Sequence, residues 1–418
     1  MGSVTMACAA GGLPRVERDV GGSGAPVTAP TRRWQETVAS VLDGIVEREV
    51  VAGHLPGAVV AVGDEQAVRC TKVCGNLQRA PAPVPMTAAA LFDLASVTKV
   101  VGTTTAIMLL VDDGRLRLED PVSRHLPEWQ GRPLGEDIRL HHLLTHTSGL
   151  PAYLSVGPLQ EKHGAGPQPD TVVAAIAALP LRRPVGSDVE YSCLNAILAG
   201  RIAENVAGTS LHHFLSERLF EPLDIRDTGW HLSRAQEARR VPTAETGHLA
   251  ADGGLLVPAV AEPLTHGFVH DPLARYYATA ERCAGNAGLF STAADLGRFA
   301  RMILGRGELD GLRLLQAETV ERFTRVQTPP GITTRGYGWD VWSTYPFQPG
   351  RDTRAQLQAV GHFGFTGTMV WIDKGSGLWT VVLASRLHGG PEATVVALRR
   401  GVIQAIVEGA GSCQPPAR

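Results

Sequence analysis

Strand-like sequence stands near both ends of this chain and helix-rich sequence fills the middle, and that order restricts the fold more than any other feature. Gly57-Ala58-Val59-Val60-Ala61-Val62 and Ala67-Val68-Arg69-Cys70 read as two strands, with Gly63-Asp64-Glu65-Gln66 between them as a hairpin signal. Strands return only at Gly336–Trp342, Thr368–Asp373 and Trp379–Ser385, followed by a helix from about Pro391 to Val407. From Ser96 to about residue 326 helical patterning dominates, with candidates at 97–111, 140–146, 171–179, 193–206, 292–304 and 316–325. Strands need partners for their backbone N–H and C=O groups. The two ends should therefore meet in one sheet, with a helical region inserted between them.

The segment Val97 to Val111 carries few polar side chains beyond its threonines and stops at Asp112-Asp113-Gly114. A helix that is apolar all round belongs in a protein core. No run reaches the ~20 apolar residues of a membrane span; Ala106 to Val111 is too short. The N-terminal region lacks the continuous apolar stretch of a secretion signal, so a cytoplasmic enzyme is expected. With 418 residues, 44% apolar and 19% charged, the chain has room for two or three structural units of ordinary soluble type. A net charge of −2 offers no electrostatic case for nucleic acid. Six cysteines (Cys8, Cys70, Cys74, Cys193, Cys283, Cys413) show no paired metal spacing and read as free thiols.

Lysine is nearly absent. Only Lys72, Lys99, Lys162 and Lys374 occur among 39 basic residues, the rest being arginine. Lys99 stands three residues after Ser96, at the head of the buried helix, and no other serine has lysine at that spacing. Residues three apart on a helix share a face. Arginine cannot give up its proton in a protein, whereas a desolvated lysine can. Burial is expected to lower the Lys99 pKa and free its amine as a base for Ser96. Taken alone, the tetrad also fits a capping serine with an incidental surface lysine.

Further segments bear on that choice: Phe92-Asp93-Leu94-Ala95-Ser96-Val97-Thr98-Lys99, His142-Leu143-Leu144-Thr145-His146-Thr147-Ser148-Gly149-Leu150, Tyr191-Ser192-Cys193-Leu194-Asn195, Gly288-Leu289-Phe290-Ser291-Thr292-Ala293 and Gly361-His362-Phe363-Gly364-Phe365-Thr366-Gly367. In this order they resemble the serine β-lactamase and penicillin-binding-protein superfamily, most closely its class C-like esterase, peptidase and transacylase branch, over about residues 40–405. The resemblance implies an α/β (α+β) fold: an antiparallel sheet flanked by helices plus a mainly helical inserted domain. The expected parts are a flexible arm at 1–33, a sheet domain from 34–95 and 327–410, a helical domain at 96–326 and a tail at 411–418.

The resemblance further implies that Ser96 is acylated, that Lys99 is its base or relay, and that Tyr191 shares a proton with Lys99 and serves the leaving group. His362 and Gly364 fall where penicillin-recognising members carry Lys and Gly of an edge-strand Lys-Thr-Gly, and the Phe365 and Ser96 amides would form the oxyanion hole. Two positions depart. Cys193 replaces an asparagine that would hold an acyl side chain, and a thiol is a weak donor and acceptor. His362 replaces a lysine that would attract a carboxylate, and at pH 7 it is expected to be largely neutral. Nothing in the sequence supplies Cys193 with a base of its own.

The expected activity is hydrolysis of a small ester or amide through acyl-Ser96, with no metal and no cofactor. Transfer of the acyl group to an amine or alcohol acceptor would use the same machinery. A non-catalytic binding module that keeps the fold is a weaker alternative. A zinc hydrolase built on His141, His142 and His146 is weaker still, because the glutamate of the zinc-protease motif is missing.

Overall fold

The computed structural model describes residues 32–79, 82–132, 134–243, 269–341, 358–388 and 394–411. The expected arm and tail lie almost wholly outside them, as do Cys8, Trp342, Cys413 and His266, which reads with His270 and Asp271 as part of a loop able to wall the cleft.

Seven strands form one antiparallel sheet: β1 Gly57–Asp64, β2 Val68–Gln78, β3 Val84–Pro85, β4 Asp340–Val341, β5 Ala359–Phe363, β6 Met369–Asp373 and β7 Leu378–Ala384, in the order β3-β2-β1-β7-β6-β5-β4. The chain's two halves join at β1 and β7, where Ala58 faces Ala384 and Asp64 faces Leu378. The hairpin forms where expected, but β2 continues to Gln78. Of the described part of Gly336–Trp342, residues 336–341, Asp340–Val341 is strand. Alternation passes over β5, because Ala-Val-Gly-His-Phe contains a single β-branched residue. β5 is not an edge strand; β4 pairs with it on the outside.

Side chains alternate across the sheet. Val60, Trp371, Val382 and Ala384 face one way, onto helices α1 (Arg32–Val51) and α2 (Val396–Gly411), meeting Leu42, Val46, Leu398 and Val402. Val59, Val370, Trp379 and Leu383 face the other way, into the main core. Complete burial of each aliphatic side chain contributes about 1.5–3 kcal/mol, so both faces are needed. The helix Ala293–Leu304 lies against the second face, capped as its Thr292 suggests, with Thr292 Oγ1 accepting from Asp295 N at 3.3 Å. Trp339 stacks on Phe299 and Tyr337 sits edge-on to Phe323, both as packing residues.

The central helix spans Ala95–Asp112 and is 83% buried within the protein. By length and composition it could cross a membrane, which the short Ala106–Val111 stretch did not suggest; its burial makes it a core helix. It changes pitch along its length, from a tight 3₁₀ turn at Ala95–Val97 through a wide π segment at Lys99–Thr104 to α at Thr105–Asp112. Wide turns of this type recur at functional sites. The helices expected at 171–179, 193–206 and 316–325 are present as Pro169–Ala177, Cys193–Ala207 and Ala317–Thr324.

Candidate active site

Ser96 occupies the 3₁₀ turn, immediately after a residue in an unusual conformation. Ala95 has φ 48°, a left-handed value that L-alanine adopts only under constraint. Asp93 supplies part of the constraint, since its Oδ1 accepts from Ala95 N at 2.8 Å. The β5–β6 turn supplies the rest. Thr366 Oγ1 donates to Asp93 O and Thr368 Oγ1 to Leu94 O, each at 2.8 Å. Gly364 is required at this crossing: a Cβ there would meet Thr368 Oγ1 at 2.0 Å and Leu94 O at 2.5 Å. Its smallness lets the strand approach the Ser96 segment. From α2, Arg399 Nη2 donates to Gly364 O at 2.5 Å and Thr368 O at 2.7 Å, and burial pulls its pKa down to about 9.

Ser96, Tyr191, Cys193, His362, Gly364 and Phe365 all line one cavity of about 380 Å³, and Lys99 lies buried behind Ser96. Lys99 Nζ donates to Ser96 Oγ at 2.9 Å, Asn286 O at 3.0 Å and Cys193 Sγ at 3.6 Å. Those three contacts use every proton of an ammonium. The expected fall in its pKa is not what this packing gives. Burial pulls the ammonium down, but the anionic forms of Cys193 and Tyr191 pull it up further, and the net direction is up. Burial was legible from the apolar helix, whereas the partners come from distant segments. The lift depends on a thiolate or phenolate being present, and burial pushes the Cys193 thiol up as well. The charge states of Lys99 and Cys193 are therefore coupled, each acting on the other. Lys99 also touches Cys193, for which no base was visible in the sequence.

Tyr191 is held from both sides by the segment after the helix Leu140–Leu144. His146, at φ 59°, accepts from Glu190 N through its carbonyl at 2.9 Å and from Ser192 N through Nδ1 at 3.2 Å. With Nδ1 occupied as an acceptor, His146 positions Tyr191; their rings are 4.7 Å apart. Among the described residues no group of three His, Cys, Asp or Glu is placed to hold a metal ion. The Tyr191 ring centroid lies 5.1 Å from Lys99 Nζ.

His362 Nδ1 donates to Phe363 O at 3.0 Å, leaving Nε2 buried without a partner among the described residues. Burial first, then the charges of Arg335 and Lys99, hold both His362 and His146 well below the ordinary histidine value, so both are neutral at pH 7. Arg335 was not foreseen. It lines the cavity with Nε and Nη2 unpartnered among the described residues, and Nη1 is 4.0 Å from Asp340. The loop carrying His270 and Asp271 reads in the sequence as able to wall the cleft, and the turn carrying Asn286 as able to approach it, and all three line the cavity; Asp93 was given no role. No spacing links 93, 270, 286 and 335; only the fold gathers them.

The comparisons with known proteins agree on one group. A family model described as Beta-lactamase matches residues 42–405. An N-acetylmuramyl-L-alanine amidase of Bacillus subtilis (strain 168) is 28% identical over 377 residues, covering 87% of this chain and 84% of that protein. A protein provisionally named a D-alanyl-D-alanine carboxypeptidase in Escherichia coli (strain K12) is 30% identical over 314 residues, covering 73% and 71%. Among solved structures, EstCE1, described as a hydrolase with promiscuous acyltransferase activity, superposes with a TM-score of 0.68 at 20% identity, over 89% of this chain and 99% of that one. A penicillin-binding protein homologue from Caulobacter crescentus also gives 0.68, at 22% identity over 92% and 98%. The structural likenesses establish the fold.

Proposed function

Because the chain belongs to the β-lactamase family, we propose that it is a serine hydrolase that opens a small ester or amide through an acyl-Ser96 intermediate. The 2.9 Å contact between Lys99 Nζ and Ser96 Oγ carries the reading. Asn286 O can only accept, so Lys99 always commits one N–H to it. In the amine form the remaining lone pair meets the Ser96 hydroxyl, which then donates. As Oγ bonds the substrate's carbonyl carbon, its proton passes to Nζ and through Tyr191 to the leaving group. The Ser96 and Phe365 amides hold the developing oxyanion. Water then releases the acyl group and restores Ser96.

The names of the amidase and carboxypeptidase relatives support amides within the substrate class. The lysine lost at His362 is balanced by Arg335, a buried cation facing the same cavity, so a carboxylate on the substrate is compatible with the site. Transfer to an amine or alcohol is a second fate of the same intermediate; EstCE1 is described as combining both activities on this fold.

Intact mass after incubation with a fluorophosphonate tests the nucleophile. One adduct is expected on the wild type and none on Ser96→Ala; equal labelling of the two would remove Ser96 from the mechanism. A screen of p-nitrophenyl esters and D-amino-acid amides, with and without a free carboxylate, then narrows the substrate.

A further inference from the structure

A second acid–base couple faces this cavity, and the acylation step makes no use of it. Asp93 is buried beneath the Ser96 turn, with a side-chain exposure of 1%. Its Oδ1 holds Ala95 N, while its Oδ2 accepts from His270 twice, from the backbone N at 2.7 Å and from Nδ1 at 2.9 Å. A carboxylate only accepts, so Nδ1 carries a proton, and in the neutral ring Nε2 keeps its lone pair. His270 is 9% exposed and lines the cavity that Ser96 lines. Its ring lies flat on Phe365, with centroids 5.7 Å apart and planes 14° apart, and the Arg386 guanidinium sits 4.0 Å from the Phe365 centroid. Tautomer, plane and position are all fixed. Nε2 makes no hydrogen bond among the described residues. An imidazole oriented by a carboxylate, with its other nitrogen unpartnered among the described residues and its ring lining the cavity, is equipped as a general base.

We propose that the Asp93–His270 couple is the base for discharge of acyl-Ser96, so that Lys99 and Tyr191 serve acylation and His270 serves release. The proposal rests on the acyl-Ser96 reading. In the step, an O–H bond of the incoming water breaks, its proton goes to Nε2 and its oxygen bonds the acyl carbon. The bond from the acyl carbon to Oγ then breaks, and Oγ regains a proton from Nε2. The Asp93 carboxylate, 2.9 Å from Nδ1, offsets the imidazolium charge.

Three charged groups bear on His270. Burial disfavours its cation, Asp93 and Asp271 favour it, and Lys99 disfavours it; the balance lies above the ordinary histidine value. The base form is lost as pH falls through that raised value, so discharge should speed up as pH rises through it.

The test follows single turnovers of the fastest p-nitrophenyl ester from the screen, by rapid quench and intact mass. His270→Gln is expected to acquire the acyl adduct at a rate comparable to wild type and to lose it about a hundredfold or more slowly. Added imidazole is expected to restore the loss in His270→Ala, a rescue that a purely structural histidine would not allow. Decay at the wild-type rate in His270→Gln overturns the couple's role and leaves acyl-Ser96 standing. Absence of any adduct on wild type, with no fluorophosphonate label on Ser96, overturns the acyl-Ser96 reading and the couple with it. The wild type alone provides a check that no folding defect can spoil: a decay rate that is flat between about pH 5 and about pH 8 overturns the couple.

Discussion

Lys99 has three neighbours that an arginine could also satisfy, since Ser96 Oγ, Asn286 O and Cys193 Sγ all accept hydrogen bonds. What arginine cannot do is release the proton. Lys99→Arg should therefore lower kcat/KM by at least about a hundredfold and slow fluorophosphonate labelling in parallel. Full turnover in the variant would take Lys99 out of the chemistry. The Ser96–Lys99 pair was legible because its chemistry is written in a spacing of three within one helix. Of the partners around it, Tyr191 was legible only through the family resemblance, and Cys193 and Asn286 were not read as contacts of Lys99, because all three arrive from other segments. Arg335 stayed hidden, and His270 was legible only as part of a loop able to wall the cleft, because a lone arginine or histidine in a loop has no periodicity to mark its role.

At the scale of elements, the site is a crossing of the central helix's first turn and the β5–β6 turn. Leu94 O cannot retreat from an added Cβ at residue 364 without disturbing Ala95, already at φ 48°. Gly364→Ala should cost about 1–3 kcal/mol, read from the urea midpoint. Its effect on the acylation burst should exceed what that loss of stability explains; an unchanged burst would mean that the crossing does not set the Ser96 geometry. Helices were predicted within a few residues because an amphipathic or apolar period is a local property, as Cys193–Ala207 and Ala293–Leu304 illustrate. β5 depends on its neighbours β4 and β6, and a short strand containing glycine and histidine shows no such period.

Across the whole molecule, buried neutral histidines couple stability to pH. His146 and His362 are held well below the ordinary value, and burial, with His141 and Arg139 nearby, lowers His142 to about 4. The unfolded chain therefore binds more protons below about pH 6.5, and stability falls as pH falls. Each such group contributes a slope of about 1.4 kcal/mol per pH unit in that window. His270, Glu204 and Asp295, all raised, oppose the trend, so a difference between variants isolates one group. His362→Gln should flatten the pH dependence of the urea midpoint between about pH 6.5 and about pH 4.5. An unaltered slope would mean that His362 titrates normally.

The pairing of Ala58 with Ala384 has a bearing on biosynthesis. A ribosome delivers Ser96, Lys99 and Tyr191 while the strand that must lie beside β1 is still untranslated, so the nascent hairpin waits with one backbone edge open to stray pairing. The site can be complete only once β7 is made, and a message truncated before Leu378 should yield a sticky fragment that takes no fluorophosphonate label.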